Sequence, residues 1–182
     1  MKGNVLATDA ASLTAVDYTD EVLGALRDED VKRIVYVPDS VLAPIVERAD
    51  SSSFDLVSVT REEEGVGVMA GCYIGGEKAV LMMQSSGLGN SLNALGSLMI
   101  SSRIPCPMLI SLRGELGDRN YAQVPWSRVA PAALDLLAVQ SVRITDPATV
   151  RHDVREMIRS AYRWHHPTAA LLTRAATGGV DD

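Results

Sequence analysis

Three adjacent carboxylates, Glu62, Glu63 and Glu64, follow Thr60-Arg61 and precede Gly65. On a helix each is turned by about 100° from the next, so they cannot share one environment. Two uses compete for them. Thr60 and Glu63 have capping-box spacing, and acids in a first helical turn are stabilised by the helix dipole. Glu63 also shares its helical face with Gly67, Ala70 and Ile74, small or apolar residues that let another surface approach and shield it. A carboxyl shielded from water can hold or donate a proton.

A second segment is Gln84-Ser85-Ser86-Gly87-Leu88-Gly89-Asn90. It follows an apolar run and opens a helix, where backbone N–H groups can face an anion or a small molecule. A dinucleotide fingerprint needs a third glycine at position 92, which is Leu92. A tight turn without ligand also accounts for the glycines. A third segment starts at Arg113-Gly114 and runs as a polar stretch to Arg128; long irregular loops tend to be functional. Arg113, Arg119 and Arg128 are its candidates for binding an oxyanion, although each taken alone is more often a surface charge. His152, His165 and His166 fall on the last helix or its end and read as structural or solvated.

These segments need a scaffold that brings them together. Apolar runs at Arg33–Val37, Leu56–Val59, Ala79–Met83, Pro107–Leu112, Val142–Ile144 and Thr168–Leu172 read as strands. Helical patterns start at Thr19, at Val41–Ala49, after Thr60, at about Asn90–Ile100 and at Pro147–Trp164. Continuously apolar strands alternating with helices imply parallel pairing with both faces covered. The expected fold class is α/β: a single doubly wound domain with a mostly parallel sheet flanked by helices. Its extent is set at residues 19–174, after a flexible lead-in at 1–18 and before a tail at 175–182. In such sheets ligands sit at the carboxyl ends of the strands, and the segments Pro38-Asp39-Ser40, Thr60–Glu64, Gln84–Asn90 and Arg113–Arg128 all leave those ends.

Composition excludes several classes. The 182 residues are 47% hydrophobic and 22% charged, ordinary for a globular domain of that length. A net charge of −6 argues against a nucleic-acid or anionic-membrane partner recognised by bulk electrostatics. No run approaches the roughly 20 apolar residues of a membrane span. Cys72 and Cys106 form neither a disulfide framework nor a metal spacing, and the N-terminus lacks a secretory profile. The expectation is a cytoplasmic protein with no metal site of its own.

The runs Arg61-Glu62-Glu63-Glu64-Gly65-Val66-Gly67 and Met83–Leu95, with Val37–Leu42 and Ala122–Pro125, resemble the pyrimidine-binding domain of thiamine-diphosphate-dependent decarboxylases of the sulfopyruvate and phosphonopyruvate type. The likeness runs from about Thr19 to Thr173. It implies thiamine diphosphate as cofactor and a small anionic 2-keto acid as substrate. The Gly-Asp-Gly motif that holds Mg²⁺ and the diphosphate in this family is absent, Gly117-Asp118-Arg119-Asn120 being a partial echo. The resemblance therefore implies a beta subunit that carries the pyrophosphate-binding domain and the Mg²⁺, in a hetero-oligomer. It assigns Glu63 as the activating glutamate, which shares a proton with the pyrimidine nitrogen so that the coenzyme can deprotonate its own thiazolium carbon. Pro38, Ser86, Gly87, Leu88 and Gly89 are implied on the cofactor, and Ser40, Gln84, Ser85 and Asn90 on the substrate. Arg113 is the first choice for the sulfonate or phosphonate because a guanidinium offers paired donors; Arg119 and Gln123 are weaker ones.

Overall fold

The computed structural model describes residues 16–49 and 54–179; the expected lead-in lies mostly outside them. Six strands form one sheet: β1 (Arg33–Tyr36), β2 (Asp55–Ser58), β3 (Ala79–Gln84), β4 (Cys106–Ser111), β5 (Gln140–Ile144) and β6 (Pro167–Leu172). Their spatial order is β2-β1-β3-β4-β6-β5, and every pairing is parallel. β4 and β6 are buried along their whole length, as is β3 up to Met83. Strands covered on both faces have no polar side to show, which is why they read as unbroken apolar runs.

Helices cover both faces. α1 (Tyr18–Asp28), α2 (Ala43–Arg48) and α6 (Val150–Trp164) pack on one core with Ile34, Val80, Met82 and Leu109. α3 (Glu62–Ile74), α4 (Ser85–Ala94) and α5 (Trp126–Leu136) close a second core with Val35, Leu81, Met83 and Ile110. Alternate strand residues thus feed opposite faces. From β1 the chain moves outward to β2, then returns to β3 on the other side of β1. That reversal opens a crevice beyond the carboxyl ends of β1 and β3, where open α/β sheets bind ligands.

Several expectations need correction. Gln84–Asn90 is no turn: α4 starts at Ser85 and runs on through a π-helical stretch, Leu95–Ile100. The polar stretch ends earlier than expected, in a 3₁₀ turn at Tyr121–Gln123 and then α5. α5 buries Ala130 and Leu134 and contains Pro131, which in a sequence reads as a helix breaker. The tail beyond 174 includes a short helix, α7 (Arg174–Thr177), with Ala176 and Thr177 buried.

Candidate functional site

The first turn of α3 gives its three carboxylates three environments. Glu62 is turned inward and is only 6% exposed. It lies on the same helix face as Gly65, Val66 and Met69, all buried against the sheet. Its carboxyl sits over the start of α4: a Cβ on Gly87 would come within 2.1 Å of Glu62 Oε1, so any side chain there must displace that carboxyl. The Asn90 side-chain amide donates to Glu62 Oε2 at 3.1 Å. One buried carboxylate is thus held between two helix starts at the edge of the crevice.

The other two face outward. Glu63 has a side-chain exposure of 47% and pairs with Arg61 at 2.9 Å, so the shielded position expected for it belongs to Glu62. Of the expected stripe, Gly67 has open space around it and Ile74 is 79% exposed, whereas Ala70 is buried in the second core. Nor does Thr60 make a capping box with Glu63. Glu64 reaches back instead, accepting from the Thr60 N–H at 2.9 Å and hydroxyl at 3.0 Å, contacts that hold its carboxyl below the usual range. The signal for Glu62 was present: residues 62, 65, 66 and 69 make a helical stripe, and Glu62 belongs to the buried one.

The glycines of α4 are filled by protein. Gly87 receives Glu62, and Gly89 receives the Trp126 ring, which a Cβ would meet at 2.5 Å. Leu88 is fully buried in the second core, leaving only its backbone for a cofactor. Ser86 is half-buried; Pro38 and Ser40 are exposed on the β1 loop. Ser85 is fully buried, and its hydroxyl accepts the Arg113 backbone N–H at 3.0 Å. It braces the loop after β4 rather than facing solvent, without the open position expected of a substrate contact, whereas Asn90 donates to Glu62 while remaining exposed.

Gln84 and Gln123 meet at the end of β3. Gln123 Nε2 donates to Gln84 Oε1 at 3.3 Å, and the buried Gln123 Oε1 finds no hydrogen-bond partner among the described residues. Arg113, the expected anion binder, is already engaged. It donates to Asp118 through Nε at 3.0 Å and Nη2 at 3.3 Å, and Nη1 lies 3.6 Å from Asp39 Oδ2. Both carboxylates are almost fully buried. Asp118 also accepts the Gly114 and Asn120 N–H groups, and chiefly the Arg113 guanidinium holds its carboxyl well below the usual range. Arg119 is exposed at the edge of this cluster. Sequence reasoning missed Asp39, Asp118 and Trp126. Asp39 had a readable signal, an acid just after Pro38 that caps the Val41 and Leu42 N–H groups.

Among the described residues no group of three His, Cys, Asp or Glu side chains converges as a metal site, and no helix is long and apolar enough to cross a membrane. The arrangement offers a buried carboxyl, helix-start backbone beside it, and a buried amide oxygen on Gln123 without a partner among the described residues.

Residues 16–123 match the thiamine pyrophosphate enzyme family, N-terminal TPP binding domain. The chain is 36% identical over 158 residues to the sulfopyruvate decarboxylase subunit alpha of Methanothermobacter thermautotrophicus, covering 86% of this chain and 96% of that one. It is 34% identical over 155 residues to the same subunit of Methanococcus maripaludis, covering 85% and 93%. A phosphonopyruvate decarboxylase of Streptomyces viridochromogenes is 31% identical over 134 residues, 72% of this chain and 34% of that one. Among solved structures, the thiamine diphosphate-dependent 4-hydroxybenzoylformate decarboxylase of Rhodococcus jostii RHA1 superposes with a TM-score of 0.66 at 17% identity, covering 86% of this chain. This chain spans 30% of that one, and the likeness concerns the fold. By family match and by identity over nearly its whole length, the chain belongs to the thiamine pyrophosphate enzymes, beside the sulfopyruvate decarboxylase alpha subunits.

Proposed function

We propose that this chain is the alpha subunit of a thiamine-diphosphate-dependent decarboxylase converting 3-sulfopyruvate to sulfoacetaldehyde and carbon dioxide. The observation that carries the reading is the Glu62 carboxyl, buried over Gly87 and bonded to Asn90 at the switch point of the sheet. Its relatives along nearly the whole chain bear that name. These residues fit the aminopyrimidine half of the coenzyme. A buried carboxyl suits its ring nitrogen, and the first-turn N–H groups of α4 beside it suit its polar edge. Glu62, not Glu63, then takes the activating role.

When bound, the coenzyme supplies an electron sink for the pair left as carbon dioxide departs. Glu62 holds a proton at the pyrimidine nitrogen, and Asn90 fixes its second oxygen. Acid–base help of this kind is worth roughly 10²–10⁴ in rate. Ser40, Gln84 and Gln123 present polar groups toward the keto acid. In the overall reaction the bond between keto carbon and carboxylate breaks. The electron pair stays on carbon and a proton takes it up, so no oxidant or reductant is consumed. A beta subunit in the same cytoplasmic hetero-oligomer holds the diphosphate and Mg²⁺.

The test is reconstitution. The chain, a candidate beta subunit carrying a Gly-Asp-Gly segment, thiamine diphosphate and Mg²⁺ should together release carbon dioxide from 3-sulfopyruvate, while either chain alone should not. A second reading, the same chemistry on phosphonopyruvate, draws on the Streptomyces relative, and a higher kcat/KM on that substrate would favour it. Tight coenzyme binding by this chain alone, with no turnover in any combination, would instead mark a non-catalytic binding module.

A further inference from the structure

Two loops flank the end of β3, and one side chain ties them together. The loop after β1 carries Asp39, whose Oδ1 accepts the Val41 and Leu42 N–H groups at 3.0 and 3.1 Å and so fixes the turn that presents Ser40. The loop after β4 carries Asp118, whose carboxylate accepts the Gly114 N–H at 2.8 Å and the Asn120 N–H at 2.9 Å. Because β3 lies between β1 and β4, a link between these loops crosses the strand that ends in Gln84. The Arg113 guanidinium is that link, with two nitrogens on Asp118 and the third on Asp39.

What the strap holds is the Gln84–Gln123 pair at the end of β3. Gly114, at φ +82°, packs on the Gln123 backbone so closely that a Cβ would lie 2.0 Å from its carbonyl oxygen. Gln123 in turn donates to Gln84, and Trp126 just beyond it fills the space over Gly89. The Arg113 backbone N–H meanwhile holds Ser85. A fork with fixed donor geometry suits bridging two carboxylates in a way an ammonium cannot.

We propose that Arg113 is a positioning residue, a strap from Asp39 to Asp118 that sets the spacing of Ser40, Gln84 and Gln123 around the keto acid, and that it does not itself grip the substrate's anionic tail. The proposal rests on the decarboxylase reading for its kinetic arm, not for its structural arm.

Hydrogen exchange on the full chain reads the structural arm. Arg113→Ala should speed exchange in both 39–43 and 114–123, segments far apart in sequence, while α6 keeps its protection. Arg113→Lys, which retains the charge but not the fork, should loosen the same two segments less and guards against a simple failure to fold. In the reconstituted complex, Arg113→Lys and Asp118→Asn should both lower kcat on 3-sulfopyruvate, by up to about 10²-fold, because small misplacements are costly. KM should stay within about threefold. A KM rise confined to the Arg113 variants, with Asp118→Asn unaffected, would overturn the proposal in favour of direct anion binding. Unchanged exchange in either segment would overturn the strap itself, whatever the reaction proves to be.

Discussion

Two arginine–aspartate pairs of nearly the same geometry sit in different parts of this molecule. Arg151 donates to Asp28 through Nε and Nη2, both at 3.0 Å, across the seam between α6 and α1. Arg113 does the same to Asp118 at 3.0 and 3.3 Å beyond the carboxyl ends of the strands. The first pair is open, with side-chain exposures of 47% and 29%; the second is nearly closed, at 11% and 8%. Water screens the first and competes for its charges, so it steers little. The second has no such substitute, and losing one partner strands a buried charge. The helix seam therefore tolerates change, whereas the crevice has fixed parts, as an aligned site requires.

The contrast can be broken by removal of carboxylates and arginines. Asp118→Ala removes the carboxylate that takes two of the buried Arg113 nitrogens, and should cost about 3 kcal/mol in urea unfolding. Gly87→Ala drives a methyl into the Glu62 carboxyl and should cost about 1–3 kcal/mol. It should also reduce decarboxylation through displacement of Glu62. Acid acts on both pairs, since Arg151 also holds the Asp28 carboxyl below its usual range, and the buried pair is the one it tests. Arg113 holds the folded Asp118 carboxyl below its unfolded value, so its stabilisation is complete above about pH 4 and is lost as pH falls further. Urea midpoints between pH 6 and pH 3 should drop less for Asp118→Asn than for the unaltered chain. Smallest of all, Arg151→Ala should leave the urea midpoint close to that of the unaltered chain; a loss matching that of Asp118→Ala would erase the distinction between the two regions.

The same division explains what could be read in the sequence. The sheet was legible because β3, β4 and β6 are buried on both faces and carry unbroken apolar runs. α5 was not, because Pro131 lies inside it, a residue that in a sequence reads as a helix breaker. The segment Arg61–Glu64 was legible as a helix start rich in carboxylates, but not which of them is buried. Glu62 and Glu63 differ by one 100° step, and a capping motif and a partner-facing stripe both pointed to Glu63. Gly87 and Gly89 marked a close approach correctly, yet the visitors are the Glu62 carboxyl and the Trp126 ring. Arg113 read as an anion binder because its two buried carboxylates come from loops far apart in the chain, and only the fold brings Asp39 beside Asp118.

The most direct measurement compares Glu62→Gln with Glu63→Gln in the reconstituted complex, each scored by carbon dioxide released from 3-sulfopyruvate. Glu62→Gln keeps the shape and the Asn90 contact but loses the proton-sharing carboxyl, so its kcat should fall by about 10²-fold or more. Glu63→Gln loses an exposed pair with Arg61 and should turn over near the unaltered rate. Near-normal turnover by Glu62→Gln, with the loss falling on Glu63→Gln instead, would contradict the assignment of the buried carboxylate.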